Sequence, residues 1–465
     1  MRSGVGTGTG EMRTDAPRAS AFFAVWLAQT CSLLGTSATG FALGVYFFQR
    51  TGSTTVYGLI GLVTLAPQIA CTPLAGVLSD CWPRRRALMA GHAGAGLCTA
   101  VLCGLYLAGG FSLPAVLALV AAASTTNAIH YPAFSALTTQ LVPESQRGRA
   151  NGFVQLGVAA QAVVAPPLGA WLLSDMGLAA VLVFDVLTFA SALVFLGVVR
   201  IAPAEGEAAP VRSVRRELRF AVDFLRARPG LWSLVVFFFA VNFLFGTAQL
   251  VLTPLVLGIG TVTDLGRVLA WGGAGMVAGG LAMLAWGGPV KKIPAIAGFT
   301  AVQGLMFGCA VATPSIALVS AAVFGAAAML PMTLTCSQTL WQRYVPLAAQ
   351  GRVFALRATV AQLGVPLAML TMGPVVESVL EPLLLPGGPL AASLGPYVGV
   401  GPGRGTALLI ALAGGCTVGL AVALACHRQA RALDEPAFAE PPVGAGVAKG
   451  QASAENAFMA QGDAA

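Results

Sequence analysis

Twelve long apolar runs, separated by short polar links, make up most of this sequence. Each run is about 20 to 30 residues long, and about 20 apolar residues in a helix cross the hydrocarbon core of a bilayer. Only 9% of the 465 residues are charged, whereas a soluble domain carries about 25%. The sequence therefore predicts an all-α integral membrane protein. We expect its twelve transmembrane helices at 20–48, 54–79, 87–108, 113–141, 150–174, 177–199, 230–258, 264–286, 293–313, 315–344, 352–380 and 404–426.

The basic residues lie mostly on alternate links between these runs. If both termini are cytoplasmic, 23 of the 26 basic residues fall on inner segments, and only Arg50, Arg267 and Arg404 fall on outer ones. This asymmetry is typical of a multi-pass protein of the inner (cytoplasmic) membrane with both termini inside. The same topology explains the net charge of +8, so no nucleic-acid partner is predicted.

The link at 200–229 is the only long charged segment inside the chain, and a surface helix is expected near 211–227. The C-terminal residues lack periodicity and are rich in Ala, Gly and Glu, a composition that predicts disorder. The predicted organisation is a cytoplasmic N-terminal segment (1–19), a six-helix bundle (20–199), a cytoplasmic linker (200–229), a second six-helix bundle (230–426) and a disordered cytoplasmic tail (427–465).

The two halves share a repeated motif. The pattern Val-Pro-x4-Gly-Arg occurs at 142–149, after the fourth helix, and again at 345–352, after the tenth. Both copies lie on the predicted inner side and precede a long helix. Two six-helix bundles with the same orientation, related by a two-fold axis along the membrane normal, account for this repeat.

The link between the second and third helices carries a recognisable signature. Gly76, Leu78 and Asp80 precede three consecutive arginines at 84–86, and this arrangement resembles the loop signature of the major facilitator superfamily. Cys81 and Pro83 depart from that pattern. Further stretches resemble the drug and siderophore exporter branch of the superfamily, of the macrolide-efflux and enterobactin-exporter type: 41–52, 132–134, 149–152 and 350–355.

The resemblance implies a secondary active transporter. Its expected function is export of a hydrophobic or amphipathic small molecule, such as a drug, a macrolide-like compound or a siderophore, by proton antiport with alternating access. A proton-coupled importer and a non-transporting membrane scaffold stay open as alternatives. The sequence lacks a Gly-x4-Gly-Lys-Ser/Thr phosphate loop, which disfavours an ATP-driven pump. It also lacks a His/Cys/acid cluster, so no enzyme, metal or cofactor is expected, and we expect a monomer.

Helices 1, 4, 7 and 10 line the central cavity in the family that the chain resembles, and each carries polar residues here. On helix 1 they are three and four residues apart and share one face. Polar groups that faced lipid would lack hydrogen-bond partners, so the alternatives are a wet cavity and bonding between helices. The candidate cavity residues are Gln29, Ser32, Thr36, Asn127, His130, Asn242, Gln249, Gln338 and Gln342.

One acidic residue, Asp185, lies well inside an apolar run. An ionised carboxylate is costly there, so Asp185 is the candidate for proton coupling; a structural pair with a helix-end donor, or with a residue such as Arg50 or Arg267, is the alternative. For alternating access, we expect a latch in which Asp80 meets the N-terminus of helix 11. Arg84, Arg352 and Arg357 complete the predicted latch.

Helix 5 partly matches the glycine-rich antiporter signature of this family. Its prolines remove backbone donors and favour a bend, and its small residues allow a helix of the other half to pack closely. Chance occurrence of Pro and Gly in a spanning helix is the alternative. The predicted hinge residues are Gly152, Pro166, Pro167 and Gly169.

Overall fold

The computed structural model describes residues 15–81, 83–143, 146–198 and 214–434, and within these ranges no strand occurs. The helices are α1 (Asp15–Thr51), α2 (Thr54–Cys81), α3 (Arg84–Leu107), α4 (Leu113–Asn127), α5 (His130–Leu141), α6 (Arg147–Trp171), α7 (Leu178–Val198), α8 (Val214–Arg226), α9 (Pro229–Leu257), α10 (Val262–Trp286), α11 (Lys292–Cys309), α12 (Ile316–Tyr344), α13 (Leu347–Gln362), α14 (Gly364–Val375), α15 (Glu381–Leu384), α16 (Gly395–Val398), α17 (Arg404–Cys426) and α18 (Arg428–Arg431). Single π-helical turns follow α6 (Leu172–Met176) and α14 (Val376–Leu380).

The twelve predicted crossings can all be found among these helices. Ten segments in the described part of the chain are long and apolar enough to cross a membrane. The predicted fourth crossing is broken into α4 and α5, and the predicted ninth, α11, has 18 residues. The eleventh runs through α13, α14, the second π-turn and α15. The prediction of a twelve-helix, all-α membrane fold is therefore confirmed.

Each crossing reverses the direction of the chain, so the connections alternate between two ends of the molecule. We call the end with the start of α1, helix α8 and the end of α17 the linker end. The distal end carries the turns between α1 and α2 and between α9 and α10. These names refer to the ends of the helix bundle, whichever side of the membrane each one faces.

The helices pack as two groups of six crossings. In the first, α1 packs against α2, α6 and α7, and α3 packs against α4 and α7. In the second, α12 packs against α10 and α11, and α17 packs against α9 and α11. Large apolar residues such as Leu88, Leu182, Leu234 and Trp341 are fully buried inside these groups. Each half therefore has its own core.

The repeated Val-Pro motif adopts the same backbone shape in both halves. Val142 ends α5 with φ −111° and ψ 124°, and Val345 ends α12 with φ −108° and ψ 115°. The prolines that follow cannot continue a helix, because they lack an amide donor. The sequence repeat therefore marks equivalent helix ends in the two halves.

The C-terminal region requires a correction. Disorder was predicted from residue 427, but α18 and a 3-10 turn over Ala432–Asp434 continue the described chain. The Asp434 carboxylate accepts hydrogen bonds from the backbone N–H groups of Lys292 and Ile293 at 2.8 and 2.9 Å. These are free donors at the start of α11, so the acid caps that helix. The rest of the predicted tail lies outside the described residues.

Close packing of α10 on α12 depends on glycine. A Cβ added at Gly279 would lie 2.0 Å from the carbonyl oxygen of Ala328, whereas one at the neighbouring Gly280 would meet nothing within 4 Å. We expect Gly279→Ala to destabilise the protein by about 1–3 kcal/mol, as overpacking does, and Gly280→Ala to stabilise it by about 0.4–1 kcal/mol, because alanine restricts the unfolded chain more than glycine does. Thermal unfolding of the two purified variants in one detergent measures the difference. Equal melting temperatures would contradict this packing.

Candidate functional site

The two halves meet along a seam between α2 and α14 in the distal part of the molecule. A Cβ on Gly58 would lie 2.5 Å from the carbonyl oxygen of Met369, and one on Gly373 would lie 2.7 Å from Thr55 Cα. The Thr253 hydroxyl on α9 donates to the Tyr57 hydroxyl on α2 at 2.9 Å. Because glycine has no side chain, Gly58 on α2 and Gly373 on α14 let the backbones of the two halves come into contact.

A second seam joins α6 to α10. A Cβ on Gly266 would lie 2.7 Å from Ala170 Cβ and 3.0 Å from Pro167 Cα. The predicted hinge residues Pro166, Pro167 and Gly169 belong to this distal part of α6, where Gly169 instead faces Ala38 and Phe41 of α1. Gly152 lies near the other end of α6, with open space around its Cα. The hinge role itself stays a prediction.

A carboxylate bridges the halves at the distal end of the first seam. Glu377, in the π-turn after α14, accepts hydrogen bonds from the Ser53 hydroxyl at 2.8 Å, the Thr55 N–H at 2.9 Å and the Thr55 hydroxyl at 2.7 Å. Thr55 is the second residue of α2, where backbone donors are free and the helix dipole favours an anion. We call Glu377, Ser53 and Thr55 the distal latch.

A cavity of about 610 Å³ lies between the halves on the linker side of these seams. This volume is typical of small-molecule sites. Most of its described lining comes from the first half, on α1, α2, α5 and α6; the second half contributes Gln249, Thr253, Leu269 and Met369. Since the second half reaches the cavity mainly beside the seams, the two halves diverge toward the linker end.

Six of the nine predicted cavity residues line this cavity: Gln29, Ser32, Thr36, Asn127, His130 and Gln249. The other three are placed elsewhere. Asn242 donates from its side chain to the carbonyl of Phe238, one turn earlier on α9. Gln338 accepts a hydrogen bond from Arg357 at 3.1 Å, and Gln342 is exposed. Helix α12, which carries these two glutamines, does not contribute to the described lining.

Several lining residues were not among the candidates, because the resemblance directed attention to four helices only. Gln68 lies on α2, and Gln155 and Gln161 lie on α6. The Gln161 amide donates to the Ser37 hydroxyl of α1. An amide in an apolar run requires a polar partner or water. The sequence could therefore have indicated these glutamines as cavity residues by the same argument that indicated the predicted ones.

The break between α4 and α5 shapes one wall of the cavity. Asn127 ends α4 and His130 begins α5, so both line the cavity beside the break. The His130 ring packs against His92 of α3 with centroids 4.2 Å apart, and the Ser32 hydroxyl lies 3.2 Å from His92 Nδ1. His92 was not predicted. His92 belongs to this wall because it packs on His130 of another helix. Spacing along the sequence does not reveal a contact between different helices.

Asp185 is buried behind the α1 wall of the cavity, with 1% of its surface exposed. The Thr99 hydroxyl of α3 donates to its Oδ2 at 3.1 Å, and Oδ1 has no hydrogen-bond partner among the described residues. Hydroxyls of Thr36 and Thr39 also surround the carboxyl group. Thr36 lines the cavity, so only one layer of side chains separates Asp185 from it.

The alternative pairing of Asp185 with an arginine is wrong for this structure. The Arg50 guanidinium lies 4.5 Å from the centre of the Tyr46 ring, and Arg267 pairs with Asp264 at 3.4 Å. Both arginines therefore interact near the distal helix ends, while Asp185 is surrounded by threonines.

The residues of the predicted latch lie at the linker end. Asp80 is in the last turn of α2, and its side chain lies outside the described residues. Arg352 was predicted to open helix 11, but α13 begins at Leu347, so Arg352 is in its second turn. It lies over Phe220 of α8 with its guanidinium carbon 4.9 Å from the ring centre. Arg357 donates to Ser337 and Gln338 of α12, within its own half. Arg84 begins α3 and has interactions of its own.

A neighbouring arginine that was not predicted has a clear structural role. Arg85 donates to the carbonyl oxygens of Leu196 and Gly197, both at 2.6 Å. These are unpaired acceptors in the last turn of α7, so Arg85 caps that helix. Over the described ranges, no three His, Cys, Asp or Glu side chains gather into a possible metal site.

Comparison with known proteins identifies the family. The model of the Major Facilitator Superfamily matches residues 25–369. The chain belongs to this superfamily. This major facilitator protein is therefore a multi-pass membrane transporter of small molecules rather than an enzyme, and the recognition made from its loop motifs is confirmed.

Relatives of this transporter carry a more specific name. Macrolide efflux protein A of Streptococcus pyogenes is 26% identical over 371 residues, which cover 75% of this chain and 87% of the relative. Macrolide efflux protein A of Enterococcus faecalis is 26% identical over 264 residues, covering 53% and 78%. These are the relatives expected of the exporter branch that the sequence resembles.

Solved structures agree on the fold. A bacterial homologue of the human lysosomal transporter Spinster, inward-facing and unoccupied, has a TM-score of 0.68 at 18% identity and covers 92% of this chain and 100% of its own. A bacterial homologue of the iron transporter ferroportin, in an inward-facing state, has a TM-score of 0.63 at 16% identity, with coverage of 88% and 99%.

Proposed function

We propose that this chain exports a hydrophobic or amphipathic small molecule, such as a macrolide-like compound, another drug or a siderophore, by proton antiport with alternating access. The observation that carries the proposal is the cavity between the halves, which is closed by two seams on one side and widens on the other. The macrolide efflux relatives favour export over import and favour a substrate of this class.

Alternating access follows from the way the halves meet. The seams and the distal latch hold the distal end closed, and the cavity widens toward the linker end. In the opposite state the linker end closes and the distal seams separate, so the halves rock about the cavity. We propose that Asp80 then meets the start of α13, with Arg84, Arg352 and Arg357 adding charge pairs.

Proton coupling is assigned to Asp185. It lies within one layer of the cavity wall, beside hydroxyls of α1 and α3 that can pass a proton. Its unpartnered Oδ1 is the atom that would receive the proton. Protonation removes a charge from a buried site, so the threonines around Asp185 would change their hydrogen bonds. Because Thr36 is one of them and also lines the cavity, a shift of α1 would change the cavity wall. Substrate and proton thereby act on the same helix.

The orientation that supports export has the linker end in the cytoplasm of the cell and the chain in the inner membrane. The cavity would then load from the cytoplasm and release its content on the far side. We further propose that one chain is the transport unit, since the cavity is formed within it.

Transport in vesicles tests the direction. When their lumen is acid, everted vesicles that contain the protein should accumulate more radiolabelled macrolide than vesicles without it, in which the acid lumen only traps the weak base. A protonophore should abolish the difference. Right-side-out vesicles should not accumulate the macrolide under the physiological gradient. Accumulation only in right-side-out vesicles would support the importer, and flux in neither preparation would support a non-transporting scaffold.

A further inference from the structure

The described lining of the cavity is polar but uncharged. This described lining contains no Asp, Glu, Lys or Arg side chain. Hydroxyls and aromatic rings are interleaved with side-chain amides, and the amides come from both halves. They are Gln29, Gln68, Asn127, Gln155, Gln161 and Gln249.

One polar atom at the α4–α5 break is buried without a hydrogen-bond partner in the described structure: Asn127 Oδ1. Asn127 lines the cavity. His130 lines it too, but its Nε2 faces α3, because a Cβ on Gly91 would lie 2.6 Å from that atom. A buried polar atom without a partner costs about 1–3 kcal/mol, which a ligand recovers when it supplies the bond. The amide oxygen requires a donor, as a ligand hydroxyl provides.

Amide side chains suit one kind of ligand in particular. Each presents an acceptor oxygen and two donor hydrogens, so it can bond either to a hydroxyl or to a carbonyl group. It cannot neutralise a full charge. A cation that left water for this cavity would lose its hydration without gaining a carboxylate partner. Asp185 does not change this, because it lies behind α1 and outside the lining.

We propose that the cavity selects an uncharged, oxygen-rich molecule, whose hydroxyl and carbonyl groups bond to Gln29, Asn127 and Gln249 while its apolar surface packs on the aromatic lining. The inference rests on the proposed exporter function and narrows its substrate class. Charged members of that class, including amine-bearing drugs and anionic siderophores, should bind in their neutral forms.

The test compares two forms of one macrolide. Erythromycin has a single tertiary amine, which can be oxidised to the N-oxide, with no net charge, or methylated to a permanent cation. Binding of each form to the purified full chain is measured by calorimetry. We expect the N-oxide to bind about tenfold or more tightly than the methylated form, a difference of about 1.4 kcal/mol.

Variants with one added charge give the matched control. Gln249 lines the cavity, whereas Gln342 is an exposed glutamine of α12 outside it. Gln249→Glu should raise the affinity for the methylated cation about tenfold, and Gln342→Glu should leave it unchanged. Gln155→Glu, on the opposite half, is a second cavity variant in case the first does not fold.

The outcomes separate the two proposals. Equal binding of both forms to the natural protein, or no gain from a cavity carboxylate, contradicts selection of neutral ligands and leaves the exporter function intact. Binding of neither form contradicts the selection of an oxygen-rich neutral molecule. The exporter proposal then depends on whether everted vesicles accumulate any amphipathic drug under an acid-inside gradient.

Discussion

Replacement of Asp185 by asparagine should abolish coupling without abolishing transport. Asparagine has the same shape and keeps an oxygen for the Thr99 hydroxyl, but it cannot take up and release a proton. We expect proton-driven efflux to fall about 100-fold, the low end of what a positioned proton-transfer group contributes. Exchange of labelled for unlabelled substrate across the membrane, which requires no net proton movement, should stay near the natural rate.

Asp175 provides the matched control for this variant. It lies in the π-turn after α6 and is exposed, so Asp175→Asn should change neither efflux nor exchange. If Asp185→Asn lowers both rates equally, the residue is structural. If it lowers neither, Asp185 is not the coupling site.

Removal of the distal latch should shift the balance between the two access states. Glu377→Ala deletes three hydrogen bonds from one half to the other. A partly exposed set of this kind contributes about 1–2 kcal/mol in total, so the population closed at the distal end should fall about tenfold relative to the open one. Spin labels at Gln49 and Pro386, both exposed near this end, should report a larger fraction of long distances.

The control variant Glu381→Ala distinguishes the loss of a contact between the halves from a general loss of stability. Glu381 lies four residues after Glu377 and also caps a helix, accepting from the N–H groups of Gly403 and Gly405 at the start of α17. That contact stays within one half. Glu381→Ala should therefore lower the melting temperature without changing the distance between the labels. An equal shift in both variants would contradict a specific latch role for Glu377.

The sequence predicted the fold well because each crossing is a local property. About 20 apolar residues require a helix in a bilayer wherever they occur, so twelve runs predicted twelve crossings. The break between α4 and α5 was missed, although Thr125, Thr126 and Asn127 precede it and are weak helix formers. Within a long apolar run, hydropathy alone does not reveal such a break.

The site was predicted only in part, because the sequence of one helix does not determine which residues of other helices it meets. Six predicted residues line the cavity, since polar side chains in apolar helices must point to water or to partners. The latch was expected from Asp80 at one end, whereas the described bridge is Glu377 at the other, with its partner Ser53 324 residues earlier in the chain. Both use a carboxylate on a helix N-terminus, but only the folded structure shows which acid meets which helix.

The central claim is that the halves rock about the cavity, so that one end opens as the other closes. Two pairs of spin labels measure this directly: Gln49 with Pro386 at the distal end, and Arg86 with Arg343 at the linker end, all exposed. On addition of macrolide and a change of pH, we expect the linker-end distance to shorten while the distal distance lengthens. Distances that change in the same direction, or a distal distance that stays fixed under every condition, would contradict the account.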